Sequence, residues 1–109
     1  MLIDQPGLQS RYGEDGTLMH ELVEMFREDA PSLAGRLVAA IDANNPTAAW
    51  RAVHTLIGAA LNVCAEDLVA EGGRVEAALR SGDLSRARAL AAELSGVVTE
   101  TLEALREAA

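Results

Sequence analysis

Asn44-Asn45-Pro46-Thr47-Ala48-Ala49-Trp50-Arg51-Ala52-Val53-His54-Thr55-Leu56-Ile57-Gly58-Ala59-Ala60-Leu61-Asn62 is the stretch on which the reading of this chain turns. It opens with the clearest boundary in the sequence. Asn45 has the short polar side chain of a helix N-cap, and Pro46 suits the first helical position, where its missing N–H costs nothing. A helix is predicted from Pro46 to about Asn62. On a helical wheel, Ala49, Ala52, Leu56, Ala59 and Val63 gather on the side opposite His54, a small-residue face suited to close packing.

Outward from this helix the same periodicity continues in both directions. Leu18, Leu22, Met25 and Phe26 recur at helical spacing, and the phase runs on through Ala30, Leu33, Leu37, Ala40 and Ile41. Pro31 interrupts it, and two nearly collinear pieces are expected there. Downstream, a short turn over 62–65 precedes Glu66 and Asp67, acids placed where a helix N-terminus favours them. Leu68, Gly72, Val75 and Leu79 form the next stripe, which ends at Ser81-Gly82. Gly72-Gly73 read as glycines that permit close helix packing. Asp83 is placed to cap a last helix with the stripe Ala87, Leu90, Leu94, Val97, Thr101 and Leu105. The segment 1–12, with Pro6 and Gly7, reads equally as a short helix or as a loop across the bundle end. Long helices joined by short turns pack as antiparallel neighbours, so the expected fold is all-α: an antiparallel four-helix bundle with a short N-terminal extra helix or loop. One domain over 1–109 is expected, with 1–15 as an N-terminal cap segment and 16–107 as the bundle.

Composition narrows the function. The 109 residues are 50% hydrophobic but only 3% aromatic, so the core is built from Leu, Val, Ile and Ala. Nine basic residues, all arginine, against seventeen acids give a net charge of −8. That balance argues against gripping nucleic acid or an anionic membrane surface. Cys64 is the lone cysteine, and no Cys/His cluster has metal-site spacing; His20-Glu21-x-x-Glu24 lacks the second histidine of a zinc motif. No apolar run is long enough to span a bilayer, and no basic region followed by an apolar stretch marks a secretory signal. A cytoplasmic location is expected.

Three residues stand out. His54 points away from the face that best explains burial, in a stretch without an acid between Asp42 and Glu66. Thr47, Trp50, Arg51, Ile57, Gly58 and Leu61 fall within about 60° of it on the wheel. Gly58 lies one turn later and costs about 1 kcal/mol relative to alanine, but it leaves the imidazole uncovered, with room for a phosphoryl group or a partner's loop. Glu76 follows from register. If the flanking helices pair about a turn near Ala65, His54 and Glu76 lie at the same height. A carboxylate there either fixes the imidazole tautomer, freeing the other nitrogen as a nucleophile, or is one of two neighbouring surface side chains.

Val53-His54-Thr55-Leu56-Ile57-Gly58-Ala59 resembles the A-H-x-L-K-G-[SA] motif of histidine-containing phosphotransfer (HPt) domains. Leu68 through Glu76 is similar to the following family helix, with Val75-Glu76 where a Leu-Glu pair is common. Phe26, Ala30-Pro31-x-Leu33 and Leu37 resemble the upstream family pattern. The resemblance spans roughly Leu18 to Leu105. It implies a phosphorelay intermediate: His54 as phosphoacceptor, the receiver domain of a hybrid histidine kinase as donor, and the receiver of a response regulator as acceptor. It further implies no cofactor on this chain, with Mg²⁺ on the receiver. No glycine-rich nucleotide loop is present, so neither ATP binding nor autokinase activity is expected. Glu76, Arg51 and Gly58 are the expected orienting or phosphate-neighbouring residues. Trp50, Ile57 and Leu61 are expected to form a docking patch, or else to be covered in part by the N-terminal segment. Ile57 stands where the family usually has lysine, which keeps open a docking module that carries no phosphate. A purely structural bundle is the third reading.

Overall fold

The computed structural model describes residues 1–13 and 16–108. Among the described residues five helices follow one another: α1 (Gln5–Tyr12), α2 (Gly16–Asp42), α3 (Pro46–Asn62), α4 (Glu66–Arg80) and α5 (Leu84–Ala108). Among the described residues there is no strand. The last four form the bundle, each packed on its two neighbours in the ring α2–α3–α4–α5. The chain is all-α, as the periodicity requires. The expected domain boundary at residue 15 falls on residues 14 and 15, which lie outside the described residues.

Local chemistry sets the helix starts. Asn45 accepts a hydrogen bond from the Ala48 amide at 3.1 Å, and Pro46 begins α3. Asp83 accepts from Arg86 N at 3.0 Å at the start of α5. The turns before α3 and α4 each use one non-glycine residue in the left-handed region, Asn44 at φ 56° and Cys64 at φ 55°. Asn tolerates that region through its short polar side chain, whereas Cys there is uncommon. Cys64 is half-buried and its carbonyl accepts from both Asp4 N (2.9 Å) and Glu66 N (3.2 Å), so the turn is held from two sides.

Two expectations need correction. Pro31 does not divide the chain: α2 runs unbroken for 27 residues with Pro31 inside it. The ring removes one backbone donor, but Pro31 is exposed, so the carbonyl one turn earlier faces the solvent side. On the other side, Ala30, Leu33, Ala34 and Leu37 stay buried along one uninterrupted face. The second correction is a rotation of two stripes. In α2 the buried set is Val23, Phe26, Ala30, Leu33, Ala34, Leu37 and Ile41, while Leu18 and Met25 are 43% and 57% exposed and Leu22 and Ala40 are half-buried. In α5, Val98 is buried and Val97 half-buried, because Leu94, Val98, Thr101 and Leu105 are the residues that share one line. Thr101 is fully buried, and its hydroxyl donates to Val97 O at 2.7 Å.

The core runs the length of the bundle. Leu37, Leu56, Leu68, Leu94 and Leu105 are its largest fully buried side chains, each contributing about 1.5–3 kcal/mol relative to exposure. At 1.5 Å per residue, α2 is about 40 Å long, close to the 44 Å long axis of the molecule. α3 and α4, at 17 and 15 residues, reach only part of that distance. Helix α1 packs at the α3–α4 turn beyond them, burying Ile3 and Leu8. Of the N-terminal segment, Gln5–Tyr12 is therefore a short helix, packed across the bundle end, and residues 1–4 lead into it without regular structure.

Candidate functional site

Helix α3 turns one face inward and carries the site on the other. Ala49, Ala52, Val53, Leu56 and Ala60 are buried, whereas His54 has a side chain 62% exposed. Its Nδ1 lies 3.1 Å from Oε2 of Glu76 on α4. His54 and Glu76 thus lie at one height, as their equal spacing from Ala65 predicts. Glu76 is mostly covered, at 18% side-chain exposure, so the carboxylate is held while the imidazole projects. A carboxylate accepts only, so Nδ1 carries the proton in the neutral ring and Nε2 keeps its lone pair. Nε2 has no hydrogen-bond partner among the described residues.

Trp50 forms the floor on one side of the ring. Its indole stacks on the His54 imidazole with centroids 4.6 Å apart and planes inclined by 13°. The sequence placed Trp50 on this face; the i,i+4 spacing was the available signal for direct contact. Trp50 remains 40% exposed and borders a cleft of about 290 Å³ lined also by Pro46, Thr47, Leu79 and Arg80.

The other expected residues separate into two flanks. Toward α4, Ile57 is half-buried rather than fully presented, with its side chain lying over Gly72. A Cβ at Gly72 would stand 2.5 Å from Ile57 Cγ1, so this glycine is what lets the two helices seat that side chain. Toward α2, Arg51 is exposed and lines a groove with Leu33, Arg36, Ala48, Ala52 and Thr55. It is on the opposite flank of α3 from Glu76, and it forms no ion pair among the described residues. Arg36, which the sequence reading did not single out, joins it there. Gly58 is exposed and has open space around its Cα. Leu61 is 51% exposed, and α1 reaches its carbonyl through Arg11 (3.0 Å). Trp50 thus contacts His54, Arg51 flanks it toward α2 and Leu61 is exposed two turns further along α3, a helix with no acidic residue of its own.

The family model of the Hpt domain matches residues 21–108. The chain belongs to the Hpt domain family. Its role is phosphotransfer in two-component signalling, where Hpt domains are phosphocarriers that work with receiver domains. No curated protein and no solved structure gives a significant match. The match includes α3, α4 and α5 and all but the first turn of α2, so the Hpt region contains every residue of the face just described. Among the described residues, no helix of this Hpt domain is long and apolar enough to cross a membrane.

Proposed function

We propose that this Hpt domain is a phosphorelay intermediate whose phosphoacceptor is His54 Nε2. The observation that carries the reading is the combination at one residue of an exposed ring, an Nδ1 held by Glu76 at 3.1 Å, and an unpartnered Nε2. A neutral imidazole with a free lone pair is a competent nucleophile near physiological pH. The lone pair attacks the phosphorus of a receiver's aspartyl phosphate. The P–N bond forms as the acyl P–O bond breaks, and the carboxylate leaves with the bonding pair. The Nδ1 proton stays on the ring, and the Glu76 carboxylate faces the positive charge that the ring acquires. The reverse sequence delivers the phosphoryl group to the aspartate of a second receiver.

In this proposal the chain supplies the nucleophile and its support, and Mg²⁺ belongs to the receiver. The hybrid-kinase receiver is the donor and the response-regulator receiver the acceptor. Trp50, Leu61 and the exposed edge of Ile57 give the apolar centre of a small transient interface. Gly58 leaves the approach to the ring clear. Arg51 is the nearest cation on the exposed face of α3, offered to the phosphate from the α2 side. A docking module that carries no phosphate is the second reading, favoured by one feature: Ile57 packs on Gly72 instead of presenting a charge.

The test is incubation with a phosphorylated receiver, followed by assay for acid-labile, alkali-stable phosphate. The parent domain should take up label, and His54→Gln should take up none. Because the position is exposed, that variant should keep its unfolding free energy within about 0.5 kcal/mol. Binding without label in the parent would select the docking module, and neither binding nor label would leave a structural bundle.

A further inference from the structure

We propose that Trp50 is a positioning residue for the chemistry of His54, acting through the stacked ring rather than only through partner contact. The proposal rests on the reading of His54 as the phosphoacceptor. One hydrogen bond, from Nδ1 to Glu76, fixes a single atom and leaves the imidazole free to swing about that line. A second restraint, in a different direction, is needed to aim Nε2. The indole face provides it: at 4.6 Å between centroids and 13° between planes, it confines the imidazole to one plane. Trp50 lies at the α3–α4 seam, beside the cleft that it lines with Pro46, Thr47, Leu79 and Arg80. Both supports of His54 thus draw on the α3–α4 pair, one through a carboxylate and one through a π-face.

The stack has an electronic consequence as well. When Nε2 bonds to phosphorus while Nδ1 keeps its proton, the ring becomes cationic. The negative face of an indole attracts a cation, and tryptophan does so better than tyrosine or phenylalanine. The attraction is stronger to the transition state than to the neutral ring, so it accelerates the transfer step itself. A residue that only docks a receiver would change affinity and leave that step alone.

Phosphoramidate separates the two roles, because it is a small donor that needs no docking surface. Nε2 attacks its phosphorus, the donor P–N bond breaks, and ammonia leaves from the zwitterionic form with the bonding pair. The parent domain, Trp50→Phe and Trp50→Leu are to be compared under this donor. Trp50→Leu should react about two- to fivefold more slowly, the factor expected for an exposed cation–π contact, with Trp50→Phe between the two. The ring protons of His54 should lose their ring-current shielding in Trp50→Leu, and ¹⁵N shifts should show a smaller Nδ1–H fraction. Circular dichroism should be the same for all three. Parent-like phosphoramidate rates and an unchanged tautomer ratio in Trp50→Leu, with weakened receiver binding, would overturn the proposal and leave Trp50 a docking residue. A parent domain that takes no phosphoryl group from either phosphoramidate or a receiver would instead overturn the phosphoacceptor reading. The tautomer comparison would then still decide whether Trp50 orders the ring.

Discussion

Gly72 on α4 and Gly58 on α3 are both helix-interior glycines, and each forgoes about 1 kcal/mol of helix propensity relative to alanine. Their surroundings are opposite. At Gly72 an added Cβ would meet Ile57 Cγ1 at 2.5 Å and Cδ1 at 3.0 Å; at Gly58 it would meet nothing within 4 Å. The first glycine is filled by a side chain of the domain itself, so packing returns what the backbone forgoes. None of the described residues does so at Gly58. Its vacancy lies one turn from His54, and in the proposed function it clears the approach to the ring. Two glycines that look alike in sequence thus mark the closed flank and the open flank of one histidine.

The comparison is most easily broken at Gly72. Gly72→Leu should lower the unfolding free energy by about 3 kcal/mol, the upper end of ordinary overpacking, as read from urea titration. The milder Gly72→Ala should recover stability in an Ile57→Ala background, with a coupling of about 1 kcal/mol in the double-mutant cycle. Independent effects at the two positions would show that Ile57 is not what the glycine accommodates. Gly58→Leu sharpens the contrast from the other side. Thermal unfolding should show a gain of up to about 1 kcal/mol, while transfer from a phosphorylated receiver should fall at least about tenfold, or about 1.4 kcal/mol of barrier. Transfer at the parent rate would remove the access role of Gly58.

The smallest effect is expected at Ile57, the residue that joins the two glycines' stories. In Ile57→Lys the aliphatic stem still covers Gly72 and the ammonium emerges one turn from His54. An exposed charge pair is worth about 0.2–1 kcal/mol, so phosphohistidine lifetime or phosphorylated fraction should rise by about two- to fivefold. Exposed pairs are screened over about 10 Å at 0.1 M salt, so the gain should shrink as salt is added. Decay measured on the isolated domain decides it, and faster decay in the lysine variant would sink the electrostatic argument.

What the sequence made legible follows from how directly each feature depends on helix geometry. Glu76 was found by counting equal distances from Ala65, because two antiparallel helices of the same rise must bring such residues level. Asn45 and Asp83 were legible because a cap needs only a short oxygen-bearing side chain at one position. Pro31 was misjudged because its local cost was visible, whereas the continuous burial of Ala30, Leu33, Ala34 and Leu37 is a tertiary gain. Val23 and Val98 were missed for a related reason. Apolar residues occupy neighbouring positions on the wheel, and only the partner helices decide which of them faces in. The i,i+4 spacing of Trp50 and His54 allows contact but does not fix the rotamers that make the rings parallel, and the seat of Ile57 on Gly72 depends on a helix separation that no spacing rule contains.

Helix α1 has a consequence for α3 that concerns how the chain is cut. The last turn of a helix leaves carbonyls without intrahelical partners. At the end of α3 the N-terminal segment reaches two carbonyls: Arg11 donates to Leu61 O at 3.0 Å, which also accepts from Cys64 N at 3.2 Å, and the Tyr12 hydroxyl donates to Asn62 O. The Asp67 amide, in the first turn of α4, in turn donates to Met1 O at 3.1 Å. These bonds go to main-chain atoms, so they survive changes of side chain at the turn but not removal of the segment. The family match begins at residue 21. A fragment trimmed to that boundary would leave Asn62 O without its donor and Leu61 O with only the Cys64 amide, would uncover the apolar surface under Ile3 and Leu8, and should let the end of α3 fray toward His54, two turns away. The packed helices thus extend beyond the region by which the family is recognised.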